Sequence, residues 1–392
     1  MATKTILLQG GTILTHDQND HVHPLKADIL IEGDLISKIE ANITPPAGTQ
    51  VIGCKNKIIS PGFIDTHHHV WQTLLKGRHA NELLLEYFYT GNLMNSMHNP
   101  EEIFWGQLGG ALECLDAGTT TVVDHAHLNY SPEHSKAALA ATISSGIRSI
   151  FGYCPTPRVQ TWKPFTLNPN LLEDWVLTTM DELASKSPFG DGRVQIGLAF
   201  DGLFLPKEYV VALFERAKAK GIKTITSHFA RTPISPTNTL QILHSYGLLD
   251  KSIIISHGSN LTAEDATVLL SSGATISSTP STEMQMLGFP VPFYPATSPS
   301  IHSNCSLGID CHSATSASIP SEMKLLLQGS RAAYNQLFID QGKVPKKVNI
   351  EVEEVFNLGT IKGARAVGME EEIGSLAVGK RADIVVFDGG IR

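Results

Sequence analysis

Ile58-Ile59-Ser60-Pro61-Gly62-Phe63-Ile64-Asp65-Thr66-His67-His68-His69 is an apolar run that ends in a cluster of titratable side chains. The apolar half, Ile58–Ile64, reads as a β-strand, and the polar half reads as the strand's C-terminal end. Side chains two apart on an extended chain point the same way. His67 and His69 can therefore reach one ion, while His68 between them points elsewhere.

The same grammar continues along the chain. Further strands are expected at Thr119–Asp124, Ile147–Tyr153, Val194–Phe200, Ile222–Ser227, Ser252–Ser256, Ala274–Ser278 and Cys305–Ile309. Between most of them lie stretches with apolar spacing of three and four, such as Glu208–Lys220 and Thr262–Ser271. Gly146, Gly221 and Gly273 each stand just before a strand, where a helix C-cap glycine is expected. Eight β-then-α units make an α/β fold, a closed TIM-type (β/α)8 barrel rather than an open sheet. Thr5–Leu8, Ala27–Glu32 and Leu35–Ile39 read as hairpin-linked strands, and Asp383–Asp388 repeats that pattern at the other end. The expected organisation is a small β-sandwich domain built from residues 1–57 and 370–392, and a barrel over 58–369.

Composition narrows the class. The 392 residues suit a barrel of roughly 250 residues plus an appendage. A hydrophobic share of 42% is enough for a large core. The net charge of −8 is spread out, and no Lys/Arg cluster could track a phosphate backbone, which argues against nucleic acid. Cys54, Cys114, Cys154, Cys305 and Cys311 are scattered, without a CxxC pair, as in a reducing compartment. No apolar run approaches the ~20 residues needed to span a bilayer, and no signal core follows Met1. The expectation is a cytoplasmic enzyme acting on a small molecule, as a homo-oligomer, with neither nucleic acid nor membrane as partner.

Active sites of this fold lie at the C-terminal ends of the strands. Strand two ends in Asp124-His125-Ala126-His127, strand five in His228, strand six in His257 and strand eight in Asp310. His67, His69, His228 and Asp310 would hold one ion and leave a position for water, as a catalytic zinc site requires. Such an ion lowers the pKa of its water to about 7. Asp310 can ligate and also take the water's proton. His257 can orient the water or donate to a developing oxyanion.

The motif Pro61-Gly62-Phe63-Ile64-Asp65-Thr66-His67-His68-His69 resembles the signature of the amidohydrolase superfamily. Gly379-Lys380-Arg381-Ala382-Asp383 resembles its C-terminal signature, and His257 and Gly308-Ile309-Asp310 fall where its later residues lie. The branch it most resembles holds chlorotriazine hydrolases and cytosine, guanine and S-adenosylhomocysteine deaminases. The resemblance spans nearly the whole chain. It implies one zinc or iron on His67, His69, His228 and Asp310, with His257 beside the reacting group. Strand four ends in Gly197-Leu198-Ala199-Phe200-Asp201, without the lysine that binuclear relatives carboxylate, so one ion per chain is expected. Deaminases of this branch carry glutamate three residues after the strand-five histidine. Here that residue is Arg231: either it offers a planar fork of donors to an anionic group on the substrate, or it turns outward into solvent and another residue such as Glu283 or His312 serves as the acid.

Several other side chains admit two readings. His125 and His127 either brace the barrel mouth or meet substrate, and Asp124 braces a loop. His312, two after Asp310, faces the pocket if strand alternation continues. Glu283 is either a replacement acid or a solvated loop residue. Gln72 and Trp71 either line the pocket or pack the rim. The insertion from Leu74 to Asn99, with Tyr87, Phe88 and Tyr89, is either a lid or a subunit contact. The leading function is metal-dependent hydrolysis of a C–N or C–halogen bond in a cyclic or aromatic small molecule. A lyase, decarboxylase or cyclase on the same scaffold is the second reading, and a non-catalytic scaffold protein the third.

Overall fold

The computed structural model describes residues 4–232 and 238–389. Eight parallel strands form the central sheet: β6 (Phe63–His68), β7 (Thr119–Ala126), β8 (Arg148–Tyr153), β11 (Val194–Ala199), β12 (Ile225–Ala230), β13 (Ile253–Ser259), β14 (Thr275–Ser278) and β15 (Cys305–Leu307). They pair in chain order from β6 to β15. A parallel bridge between His68 and Asp310 brings the last strand against the first, closing the barrel. Closure needs Gly308, because a Cβ there would lie 2.7 Å from the His67 carbonyl oxygen.

Helices wrap the barrel. They include α1 (Leu84–Thr90), α2 (Pro100–Asp116), α3 (Pro132–Ser145), α4 (Asp174–Lys186), α5 (Lys207–Ala219), α6 (Thr239–Ser245) and α7 (Ala263–Ser272), then a 21-residue helix over Ile319–Ile339. Asn99, Ser131 and Thr262 cap α2, α3 and α7 with side-chain oxygens. Gly146 and Gly273 end α3 and α7 in the left-handed conformation expected of C-cap glycines. The main core lies between strands and helices: Phe151, Leu198, Ile253 and Ile255 from the strands pack with Val176, Met180, Leu213, Phe214 and Leu269 from the helices.

The strand expected over Ile58–Ile64 is divided. Its first part is β5 (Lys57–Pro61), which belongs to a second sheet, and only the residues after Gly62 enter the barrel. Pro61 has no amide hydrogen to extend a ladder, and the Gly62 amide donates to the Asp383 carbonyl of the small sheet. That sheet has six strands: β1 (Thr5–His16), β2 (Val22–Glu32), β3 (Leu35–Glu40), β4 (Gln50–Gly53), β5 and β16 (Ile384–Asp388). Ile13, Ile29, Ile36, Ile59 and Leu376 form its apolar centre. A short hairpin, β9 (Val159–Trp162) with β10 (Phe165–Leu167), stands off the barrel, and its Phe165 meets Tyr89 of α1 edge to face.

Candidate active site

β6 delivers His67, and His69 just past its end, to the barrel mouth, β12 delivers His228, β13 delivers His257, and the turn after β15 delivers Asp310. Asp310 Oδ1 lies 3.1 Å from both His67 Nε2 and His69 Nε2. His228 Nε2 is 3.3 Å from His69 Nε2. Donor atoms of His67, His228, His257 and Asp310 also fall within 4.8 Å of one another. Five groups thus compete for one point. His69 approaches both Asp310 and His228 closely. No hydrogen bond joins His257 to the cluster among the described residues.

The other ring nitrogens explain why this cluster can hold a cation. His69 Nδ1 donates to the His125 carbonyl at 2.8 Å. His67 Nδ1 is bonded to Ser256 Oγ at 2.7 Å, and His228 Nδ1 to the Asp201 carboxylate at 2.9 Å. With every Nδ1 engaged, each ring can be neutral with its Nε2 lone pair turned inward, which is the tautomer a metal needs. His257 Nδ1 is held at 2.8 Å by Thr279 Oγ1. Below the cluster, Thr66 Oγ1 meets Ser277 and Ser306 hydroxyls at 2.6 and 2.7 Å, so the barrel floor is filled and polar.

Burial and charge oppose each other here. Burial drives His67 well below the usual histidine range and takes His257 down to about 4. Burial would raise Asp310, but the neighbouring His257, and after it His67 and His69, hold it well below the ordinary carboxylate range. His228 goes the other way from His67 and His257: burial lowers it, and the Asp201 carboxylate more than offsets this. His257 and Asp310 both have left-handed backbones, φ 72° and 63°, uncommon for side chains with a Cβ. Such conformations concentrate where a fold must aim a functional group.

Two surface clefts of about 420 and 510 Å3 lie elsewhere, one lined by α4 and α5, the other by β1, β2 and the 319–339 helix. None of the convergent histidines lines either, so donor geometry and not cleft size locates the chemistry.

The sequence profile of the Amidohydrolase family matches residues 58–391. The chain belongs to the amidohydrolase family. With it comes the class of metal-dependent hydrolases acting on carbon–nitrogen bonds other than peptide bonds. The chain is 26% identical to a 5-methylthioadenosine/S-adenosylhomocysteine deaminase of Pyrococcus abyssi, over 99% of this chain and 86% of the relative. Its fold matches atrazine chlorohydrolase TrzN of Arthrobacter aurescens TC1 complexed with zinc, with TM-score 0.78 and 19% identity over 97% of this chain and 87% of that one. It equally matches an adenosine deaminase of Xanthomonas campestris with bound zinc, with TM-score 0.78 and 19% identity over 98% and 85%.

The remaining candidates of this amidohydrolase are dispersed. His125 is at the mouth: its Nε2 lies 3.1 Å from Asp201 and its ring centroid 4.3 Å from that of His228. His127 stacks on His69 at 4.0 Å and accepts from Trp71 Nε1, so Trp71 braces a brace. Asp124 accepts from the Val70 amide and Gln107, the bracing role expected of it. Gln72 is fully buried against the Tyr87 hydroxyl, at 2.6 and 2.9 Å, which ties the 74–99 insertion to the barrel rim.

Three expectations need correction. His312 does not share the face of Asp310. Its Nδ1 meets Thr73 Oγ1 and its Nε2 lies 2.9 Å from Glu113 of α2, behind the strand ends. The alternation fails because β15 ends at Leu307 and Asp310 turns the backbone left-handed. Glu283 is not a solvated loop residue. It is fully buried, accepts from Ser278 Oγ and the Thr279 amide, and burial raises it to about 8. Arg231 is not a free donor fork, because its Nη2 is bonded at 2.6 Å to Asp265 of α7.

Sequence reading missed Ser256 and Thr279, whose hydroxyls orient His67 and His257. It quoted Asp201 at the end of strand four but assigned it no role. Its position at a strand end was the available signal.

Proposed function

We propose that this amidohydrolase cleaves a C–N or C–halogen bond of a cyclic or aromatic small molecule, with one zinc ion held by His67, His69, His228 and Asp310. The observation that carries the reading is the convergence of three inward Nε2 atoms and one carboxylate, each imidazole fixed from behind at Nδ1. A bound divalent ion supplies Lewis acidity and a water whose pKa falls to about 7. The chain supplies the rest. Asp310 would accept a proton from the attacking water, and His257, aimed by Thr279, would donate toward charge developing on the reacting centre. The deaminase and chlorohydrolase names of the relatives support a ring substrate, and the zinc in both matched structures supports zinc over iron.

The proposal departs from the deaminases at strand five. A carboxylic acid three residues after His228 would protonate a ring nitrogen, and Arg231 cannot, since its pKa above ~12 keeps it charged. Engaged with Asp265, it is also not offered to substrate. We therefore infer slow turnover of adenine- and cytosine-type amines.

The test is elemental analysis of protein purified without chelator, followed by product analysis across cyclic amines and halides. About one zinc per chain and turnover abolished by chelation are expected. Absence of transition metal, with activity that survives chelation, overturns the reading. Rapid deamination of an adenine compound overturns the inference about Arg231.

A further inference from the structure

We propose that Asp201 is a positioning residue that aims His228 at the metal and ties the ends of strands two, four and five together around it. The proposal rests on the metal reading above.

β11 ends at Ala199, and two residues later Asp201 reaches the mouth beside β12. Its Oδ1 accepts the His228 amide at 2.8 Å, and its Oδ2 accepts His228 Nδ1 at 2.9 Å. One carboxylate therefore grips both the backbone and the ring of the same residue, which fixes the ring's orientation and its tautomer together. The same Oδ2 lies 3.1 Å from His125 Nε2, and Ser227 Oγ is 3.3 Å from Oδ1.

Exposure explains why His228 needs this. The His67 and His69 side chains are 0% and 2% exposed, while that of His228 is 28% exposed. Packing holds the first two rings, so a hydroxyl and a backbone carbonyl suffice behind them. His228 stands at the open rim, where packing constrains the ring least. A carboxylate behind an imidazole ligand fixes its tautomer and makes its other nitrogen a better donor. At 43% exposure Asp201 stands at the same open rim as the ring it holds.

The experiment uses the full chain, stripped of metal and titrated with zinc against a chromophoric chelator, for wild type, Asp201→Ala and Asp201→Asn. Alanine is expected to weaken zinc binding about 10- to 100-fold. Asparagine keeps an acceptor oxygen and should recover part of that loss. The thermal midpoint of the metal-free proteins should agree within about 2 °C, since the exposed carboxylate contributes little to folding. Zinc affinity of the alanine variant within twofold of wild type overturns the proposal. If the alanine variant does not fold, the cobalt-substituted asparagine variant decides: a shifted visible absorption band supports the proposal, and one coincident with wild type overturns it. Failure of wild type to bind zinc is a different result, which removes the metal reading itself.

Discussion

His67 and His69 face the barrel mouth, while His68 between them faces α2, and the two faces use the same residue types to opposite ends. At the mouth, neighbouring histidines outweigh burial and hold Asp310 and Asp201 well below the usual carboxylate range. Behind the strand ends burial outweighs the contacts that oppose it. Asp65 is pushed well above that range, and His68, 2.6 Å from it, is drawn down to about 3. That pair lies beside Cys114, and its three donor atoms lie as close together as those of the mouth. Glu322 continues the buried side, raised by burial to about 7. Proximity of donors therefore does not make a metal site. What separates the two faces is a set of inward lone pairs with their outer nitrogens already satisfied, open to solvent on one side.

Substitutions on the two faces should separate most widely at the first strand. His67→Ala or His69→Ala is expected to abolish both zinc binding and turnover, with the barrel still folded by circular dichroism. His68→Ala should keep its zinc and lose about 1–3 kcal/mol of stability, as removal of a buried hydrogen-bond partner does. Loss of zinc in the His68 variant alone would reverse the assignment of faces.

His257 tests the edge of the mouth. His257→Ala should retain zinc while kcat falls about 10²–10³-fold, the usual effect of deleting one transition-state donor. Complete loss of the ion would make His257 a ligand.

Glu322 sharpens the buried side. Its carboxyl, bonded to the Ser281 amide and hydroxyl, is raised by burial from the ordinary 4.5 to about 7. The folded state therefore binds more protons than the unfolded one between those values, so stability falls as pH rises through this window. Glu322→Gln removes that decline. Urea midpoints at pH 5 and pH 8 should lie closer together in the variant than in wild type, and an unchanged gap would remove Glu322 as a source.

The smallest effect is expected at Arg231. Its side chain is 34% exposed, and Asp265 keeps Thr262, Asn238 and Gln241 as donors without it. Arg231→Ala should cost under about 1 kcal/mol of stability and leave kcat/KM near wild type. A sharp rise in KM would return Arg231 to the substrate. Arg231→Glu should destabilise more, because it faces Asp265 with a second carboxylate.

Much of this was legible in the chain. The eight strands, the helices between them, the strand-rich ends and the order of His67, His69, His228, His257 and Asp310 follow from apolar periodicity and strand alternation. These signals are local: each depends on neighbours within one element. Alternation also predicted His68 away from the mouth. It failed at His312, where the left-handed Asp310 breaks the strand that alternation assumes, and at Ile58–Ile64, where Pro61-Gly62 hands the chain from one sheet to another.

Tertiary structure decided what lies beyond one element's reach. Asp265 engages Arg231 from 34 residues away, Ser256 orients His67 from 189 away, and Asp201 grips His228 from 27 away. Such partners are set by which strand ends and helices the closed barrel brings together. A hydrogen bond falls off steeply beyond about 3.2 Å and poor angles, so a choice of nitrogen, tautomer or free charge exists only once that closure has fixed the distances. The sequence by itself determined which residues reach the barrel's rim; the folded barrel determined which of them face one another there, and through which atom.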